Sequence, residues 1–132
     1  MLTVKTYLDK SLIPGAGIGL FASEFIPKDT IIWEFNHNLD QIFKKEMVEA
    51  CNELDKDFLI KYCFVFKGDY YLCVDNSRFY NHSDDPNCYS TDYNEEYLGY
   101  TRAKRDIQAG EELTDDYHTF GFTDADRAFN AI

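Results

Sequence analysis

Short apolar runs broken by turn-forming residues recur along most of this chain, which predicts a mainly β protein. Leu2–Leu8 alternates and is rich in strand formers; Pro14-Gly15-Ala16-Gly17 interrupts it; Ile18–Ala22 resumes as a strand. Pro27-Lys28-Asp29 turns into a third strand at Thr30–Phe35. The period then changes. Phe43, Met47, Ala50, Cys51 and Leu54 fall at helical spacing, so residues 40–54 are predicted as a helix whose apolar face packs into the core. Tyr62–Phe66 and Tyr70–Val74 flank Lys67-Gly68-Asp69, a hairpin signal. Glu95–Ala103 reads as a strand, and Gln108–Glu111 turns into a segment around Leu113. Thr123-x-x-Asp126 has the form of a capped short helix carrying Phe129 and Ile132. One internal echo stands out: Ala22, Ile26 and Ile32 are spaced like Ala103, Ile107 and Leu113, which predicts two similar strand–turn–strand units.

A chain of 132 residues, 45% of them apolar and 17% aromatic, makes one domain with a proper core. The net charge of −11 disfavours nucleic-acid backbones and anionic membranes, and suits a cationic ligand such as a lysine-rich peptide or a sulfonium cofactor. Cys51, Cys63, Cys73 and Cys88 lack the paired spacing of a zinc site and read as reduced, mostly buried thiols. With no signal pattern and no long apolar run, the expected location is intracellular, cytoplasmic or nuclear. Asn81-His82-Ser83 matches a glycosylation sequon, a coincidence in that setting.

Three stretches do not fit a purely structural role. Arg78-Phe79-Tyr80-Asn81-His82-Ser83-Asp84-Asp85-Pro86-Asn87 is polar, bracketed by strand-like runs and rich in side chains that hydrogen-bond a ligand or the backbone. Glu111-Glu112-Leu113-Thr114-Asp115-Asp116-Tyr117 follows it, and Gly15-Ala16-Gly17-Ile18-Gly19 precedes both. In that order and spacing the three resemble the SET-domain protein lysine methyltransferases, over about residues 4–120. The central block is the specific part. Leu20 and the lack of a βαβ pattern separate the glycine cluster from a dinucleotide-binding loop.

The resemblance implies a single SET domain with a β-clip-like fold: short β-sheets, a knot-like C-terminal crossing and one inserted helical segment at about residues 36–61 that walls a peptide groove. Residues 118–132 form a short tail. It implies in-line methyl transfer from S-adenosyl-L-methionine to a deprotonated lysine of a histone or other basic protein, leaving S-adenosyl-L-homocysteine. Ala16, Gly17, Ile18 and Gly19 match the loop against the cofactor, and Asn81 and His82 the cofactor-binding pair, supported by Arg78 and Phe79. Tyr117 matches the catalytic tyrosine. With a phenol pKa of about 10, its expected role is orientation rather than bulk base catalysis.

Two positions depart from the family pattern. Asp115 stands where relatives often carry Phe or Tyr, so the substrate channel is drawn from Asp115, Tyr89, Phe120 and Phe122, and a carboxylate there can pair with a cation. Asp84 stands where many relatives place a zinc-binding cysteine, and no cysteine cluster follows Tyr117, so no metal is expected. Such a minimal domain resembles the stand-alone viral and bacterial members; a homodimer or a partner subunit stays open. Two other readings also fit these residues. One is a catalytically weak module that binds cofactor and a lysine-rich protein. The other is a metal-dependent hydrolase built on His82, Asp84, Asp85, Asp116 and His118.

Overall fold

The computed structural model describes residues 1–91 and 98–120, so Phe122 and the predicted C-terminal helix lie outside the described residues. Among the described residues, ten short strands form four small sheets, accompanied by two helices and two 3-10 turns. β1 (Thr6–Lys10) and β2 (Ile18–Ala22) pair antiparallel, with Thr6 opposite Ala22 and Lys10 opposite Ile18. The first strand is thus shifted from the predicted Leu2–Leu8, because all five residues of β2 find partners only if β1 runs on to Lys10. Leu2 instead bridges Trp33. β3 (Ile31–Glu34), β8 (Cys88–Thr91) and β9 (Tyr100–Ala103) form a second sheet in the order β3-β9-β8. β8 escaped the sequence reading because it follows the polar block directly, with only Cys88 among its residues fully buried.

The predicted helix over residues 40–54 is corrected. That stretch is β4 (Gln41–Phe43), α1 (Lys45–Ala50) and the start of α2 (Glu53–Tyr62). Asn52 divides the helices: its side chain accepts the Asp55 amide at 2.9 Å, an N-cap that starts a new helix. The expected apolar face is only partly used. Met47 and Leu54 are exposed, whereas Val48, Leu59 and Cys63 make the local core, with Phe43, Cys51, Tyr70 and Leu72 packed on it. β5 (Phe64–Phe66) and β6 (Asp69–Leu72) form the expected hairpin, with Lys67 and Gly68 both at positive φ as a two-residue turn requires. No helix among the described residues is long and apolar enough to cross a membrane.

The main core is the internal echo made physical. Leu20, Ala22, Ile26, Ile32, Cys88, Ala103, Ile107 and Leu113 are all at most 1% exposed and pack together. Ile26 and Ile107 exchange both backbone hydrogen bonds at 2.8 Å, which places the two strand–turn–strand units face to face. Asp29 (φ 68°) and Gly110 (φ 90°) occupy equivalent places in the two turns. Burying each large aliphatic side chain contributes about 1.5–3 kcal/mol, so this cluster is a principal source of stability. It also fixes what grows out of it. The 3-10 turn η1 (Asn76–Phe79) leads into β7 (Asn81–His82), which lies parallel to β10 (Thr114–Asp115), and the 3-10 turn η2 (Tyr117–Phe120) follows. The two polar motifs are therefore side by side.

Candidate active site

Glu112, 8% exposed, ties the three motifs together. Its carboxylate accepts the Ser11 hydroxyl at 2.8 Å, the Leu12 amide at 2.8 Å and the Asn81 side-chain amide at 3.1 Å. Asn81 also donates to the Ile18 carbonyl at 3.0 Å. Its side chain is thereby committed to structure. A Cβ at Gly19 would stand 2.5 Å from Glu112 Oε2 and 3.2 Å from Ser11 Cα. The buried carboxylate is thus a packing reason for glycine at this position that the sequence reading did not supply. Asn87 completes the clasp, donating to the Glu112 carbonyl at 2.7 Å and accepting the Thr114 amide at 2.9 Å.

Tyr117 is held at both ends. Its amide donates to His82 Nδ1 at 3.1 Å and its phenol donates to the Tyr80 carbonyl. Because Nδ1 accepts, Nε2 carries the ring proton and donates to Asp84 at 2.9 Å. His82 therefore acts as a clamp on the Tyr117 backbone and does not line the adjoining cavity.

That cavity, about 340 Å³, is mostly apolar. Ala16, Gly17 and Ile18 form one side; Arg78, Phe79, Tyr80 and Asn81 another; Asp115 and Tyr117 close it. Trp33, Tyr62, Cys63, Phe64 and Cys73 supply aromatic and sulfur surface. Burial pushes the Cys63 and Cys73 thiols up to about 12, so both stay protonated. Gly17, at φ 75°, takes a backbone conformation that side-chain-bearing residues rarely adopt. Trp33 Nε1 is buried without a hydrogen-bond partner, and the Tyr80 hydroxyl is buried beside the Cys88 thiol.

The family model for the SET domain matches residues 17–118, from the glycine loop to just beyond Tyr117. This chain belongs to the SET-domain family. It is 35% identical over 118 residues to the Schizosaccharomyces pombe protein named histone-lysine N-methyltransferase, H3 lysine-36 specific, covering 84% of this chain and 14% of that one. A second relative, from Plasmodium falciparum, is 32% identical over 124 residues, covering 86% of this chain and 2% of that protein. The chain thus spans a small part of the curated relatives it matches. Among solved structures it is similar to a humanized mutant of Chaetomium thermophilum Polycomb Repressive Complex 2 bound to the inhibitor GSK126. There the TM-score is 0.65 at 23% identity, covering 89% of this chain and 15% of that one. That likeness is one of fold.

Set against its own sequence, this SET domain gathers most of the expected site residues and leaves some out. Ala16, Gly17, Ile18, Arg78, Phe79, Asn81, Asp115 and Tyr117 share the cavity; Gly19 and His82 stand behind its wall, each for the reason given above. Tyr89 lies away from it, its phenol donating to Asp29 at 3.2 Å, because the alternation of β8 turns it to the other face. Phe120 lies in η2, and its side chain is outside the described residues. Trp33, Tyr62 and Phe64 were missed; only being aromatic in apolar runs marked them, which core aromatics share. His82, Asp116 and His118 do come within 4.8 Å of one another, as the hydrolase reading expects. Both His82 nitrogens, however, already serve the Tyr117 amide and Asp84, and Asp116 accepts the His118 amide at 3.0 Å. The trio reads as a clasp around Tyr117.

Proposed function

We propose that this SET domain is an S-adenosylmethionine-dependent protein lysine N-methyltransferase acting on a basic segment, such as a histone tail, inside the cell. One observation carries the reading: the Tyr117 phenol, fixed on the Tyr80 carbonyl, sits on the wall of a cavity shared by the glycine loop and the Asn81 strand. The residues fit the cofactor. The Gly17 loop offers backbone, and Tyr62, Phe64 and Phe79 offer π-faces to a cationic sulfur. When bound, S-adenosylmethionine supplies a methyl group on a positively charged sulfur.

The chain's own part is alignment and exclusion of water. Tyr117 orients the lysine nitrogen, with its phenol and the Tyr80 carbonyl as fixed dipoles beside the transferring methyl. α2, in the inserted segment, contributes Lys61 and Tyr62 to the cavity wall, where it would border the peptide groove. The net charge of −11 favours a basic substrate, as does the name of the fission yeast relative.

The test is transfer of labelled methyl from S-adenosylmethionine to histones and to a mixture of basic proteins, wild type against Tyr117→Phe. Label on lysine in the wild type, reduced at least 100-fold in Tyr117→Phe while S-adenosylhomocysteine still binds, is the expected result. A wild-type protein that binds neither S-adenosylmethionine nor S-adenosylhomocysteine would refute it.

A further inference from the structure

The Asp115 side chain is 6% exposed, lines the cavity beside Tyr117 and has one hydrogen bond, from the Asp116 amide at 2.8 Å. No cation among the described residues pairs with it. Lys61 and Arg78 also border the cavity, but both are exposed, and the Arg78 guanidinium lies over the Tyr62 and Phe79 rings. A carboxylate held this way is costly unless something charged and hydrogen-bonding arrives with a ligand. Tyr80 stands on the same wall; burial above all, then the neighbouring Cys88 and Asp115, push its phenol up, so it stays neutral beside the carboxyl. One underpaired carboxyl thus stands where the methyltransferase reading puts the substrate nitrogen.

We propose that Asp115 receives the substrate lysine: its carboxylate binds the incoming ε-ammonium, takes one proton from it and leaves a neutral amine facing the methyl donor. The assignment rests on the methyltransferase reading and deepens it. The step balances. One N–H bond of the ammonium breaks and an O–H bond forms on Asp115. The freed nitrogen lone pair then forms the N–CH3 bond, while the S–CH3 bond breaks with its electrons left on sulfur. The product is a methylammonium and a neutral thioether, and Asp115 releases its proton to water once the product leaves. Tyr117 keeps the nitrogen in line.

Burial pushes the Asp115 carboxyl up to about 8 against the lowering effect of the Asp116 amide hydrogen bond, which brings its proton affinity toward that of an amine. The other titratable groups facing it, Tyr80 and Cys88, are themselves buried and kept neutral by burial. A general base needs to hold its proton only briefly, and a carboxyl in this range suits a reaction run near neutral pH.

Asp115→Asn tests the assignment, because the amide oxygen can keep the Asp116 hydrogen bond while the base is lost. Unchanged S-adenosylhomocysteine affinity with a melting temperature no lower than wild type is expected. At pH 7.5 kcat should fall at least 100-fold, and the deficit should narrow as pH rises and the lysine sheds its own proton in water. A second readout needs no substrate: the 13C carboxyl resonance absent in Asp115→Asn should titrate well above the ordinary carboxylate range in the S-adenosylhomocysteine complex. An active wild type whose Asp115→Asn variant keeps the same pH profile, or an Asp115 resonance that titrates near 4, would overturn the assignment and leave the function standing. A wild type that binds cofactor but methylates no lysine would remove both.

Discussion

Asp115→Asn also makes a prediction about stability that owes nothing to catalysis. An aspartate carboxyl ordinarily ionises near 3.8, and burial moves this one to about 8. Between those values the native chain keeps a proton that the unfolded chain has released. Stability is therefore fully present below about pH 4 and falls as pH rises toward 8. Each pH unit in that window costs about 1.4 kcal/mol, so at pH 7 the accumulated cost is about 4 kcal/mol, a large share of the 5–15 kcal/mol typical of a domain. Asparagine fills the same space and can accept the Asp116 amide but has no proton to lose, so its stability lacks this slope. The assay is urea unfolding of the cofactor-free proteins at half-unit steps from pH 5 to pH 8. The difference between variant and wild type should widen in the variant's favour by about 1.4 kcal/mol per pH unit up to about pH 7, and by less as pH nears 8. Repulsion among the surface carboxylates is common to both proteins and drops out of the difference. Parallel curves would refute the reasoning, since they would mean that water reaches Asp115 and it ionises as a surface carboxylate does.

Gly19→Ala should destabilise by about 1–3 kcal/mol, because the new methyl would stand 2.5 Å from Glu112 Oε2 in a clasp with no slack; thermal melting measures it. Glu112→Gln should cost about 2–4 kcal/mol in urea unfolding, because an NH2 group would be turned toward the Ser11 hydroxyl, the Leu12 amide or the Asn81 amide, which all donate. In the folded protein at pH 8 a thiol reagent should titrate Cys51 quickly. Cys63, Cys73 and Cys88 should react only on unfolding, because all three are buried with their thiols pushed up by burial.

Much of this was legible in the residues because it is carried by local rules. Ile18–Ala22 is a strand from end to end, and the paired trios of Ala22, Ile26, Ile32 and Ala103, Ile107, Leu113 supply six of the eight residues of the main core. The spacing alone implied two equal units, and equal units bury equal positions. Where the reading failed, a non-local partner decided. Phe43 shares helical spacing with Met47 and Cys51, yet it joins a strand because Tyr70 stands opposite it on β6. The stop between α1 and α2 was written in Asn52, a capping residue that the apolar spacing overrode.

The harder limit lies in what an acidic residue means. Within the last motif Glu112 and Asp115 look alike, two carboxylates beside apolar positions, and nothing in their spacing separates a structural acid from a reactive one. The fold separates them by counting donors. Glu112 has a hydroxyl and two amides on it, from segments far apart in the chain, so its charge is compensated before any ligand arrives. Asp40, buried to the same degree, likewise accepts the Asn36 and Val74 amides. Asp115 has one donor, supplied by its own neighbour. A chain under selection for folding alone would put an apolar residue at such a place, since replacing a buried, underpaired charge by a hydrophobe of similar size is commonly neutral or stabilising. The carboxylate is kept against the stability of the fold, on the wall of the cavity where Tyr117 is clamped, and the compensation it lacks is what a lysine side chain would bring.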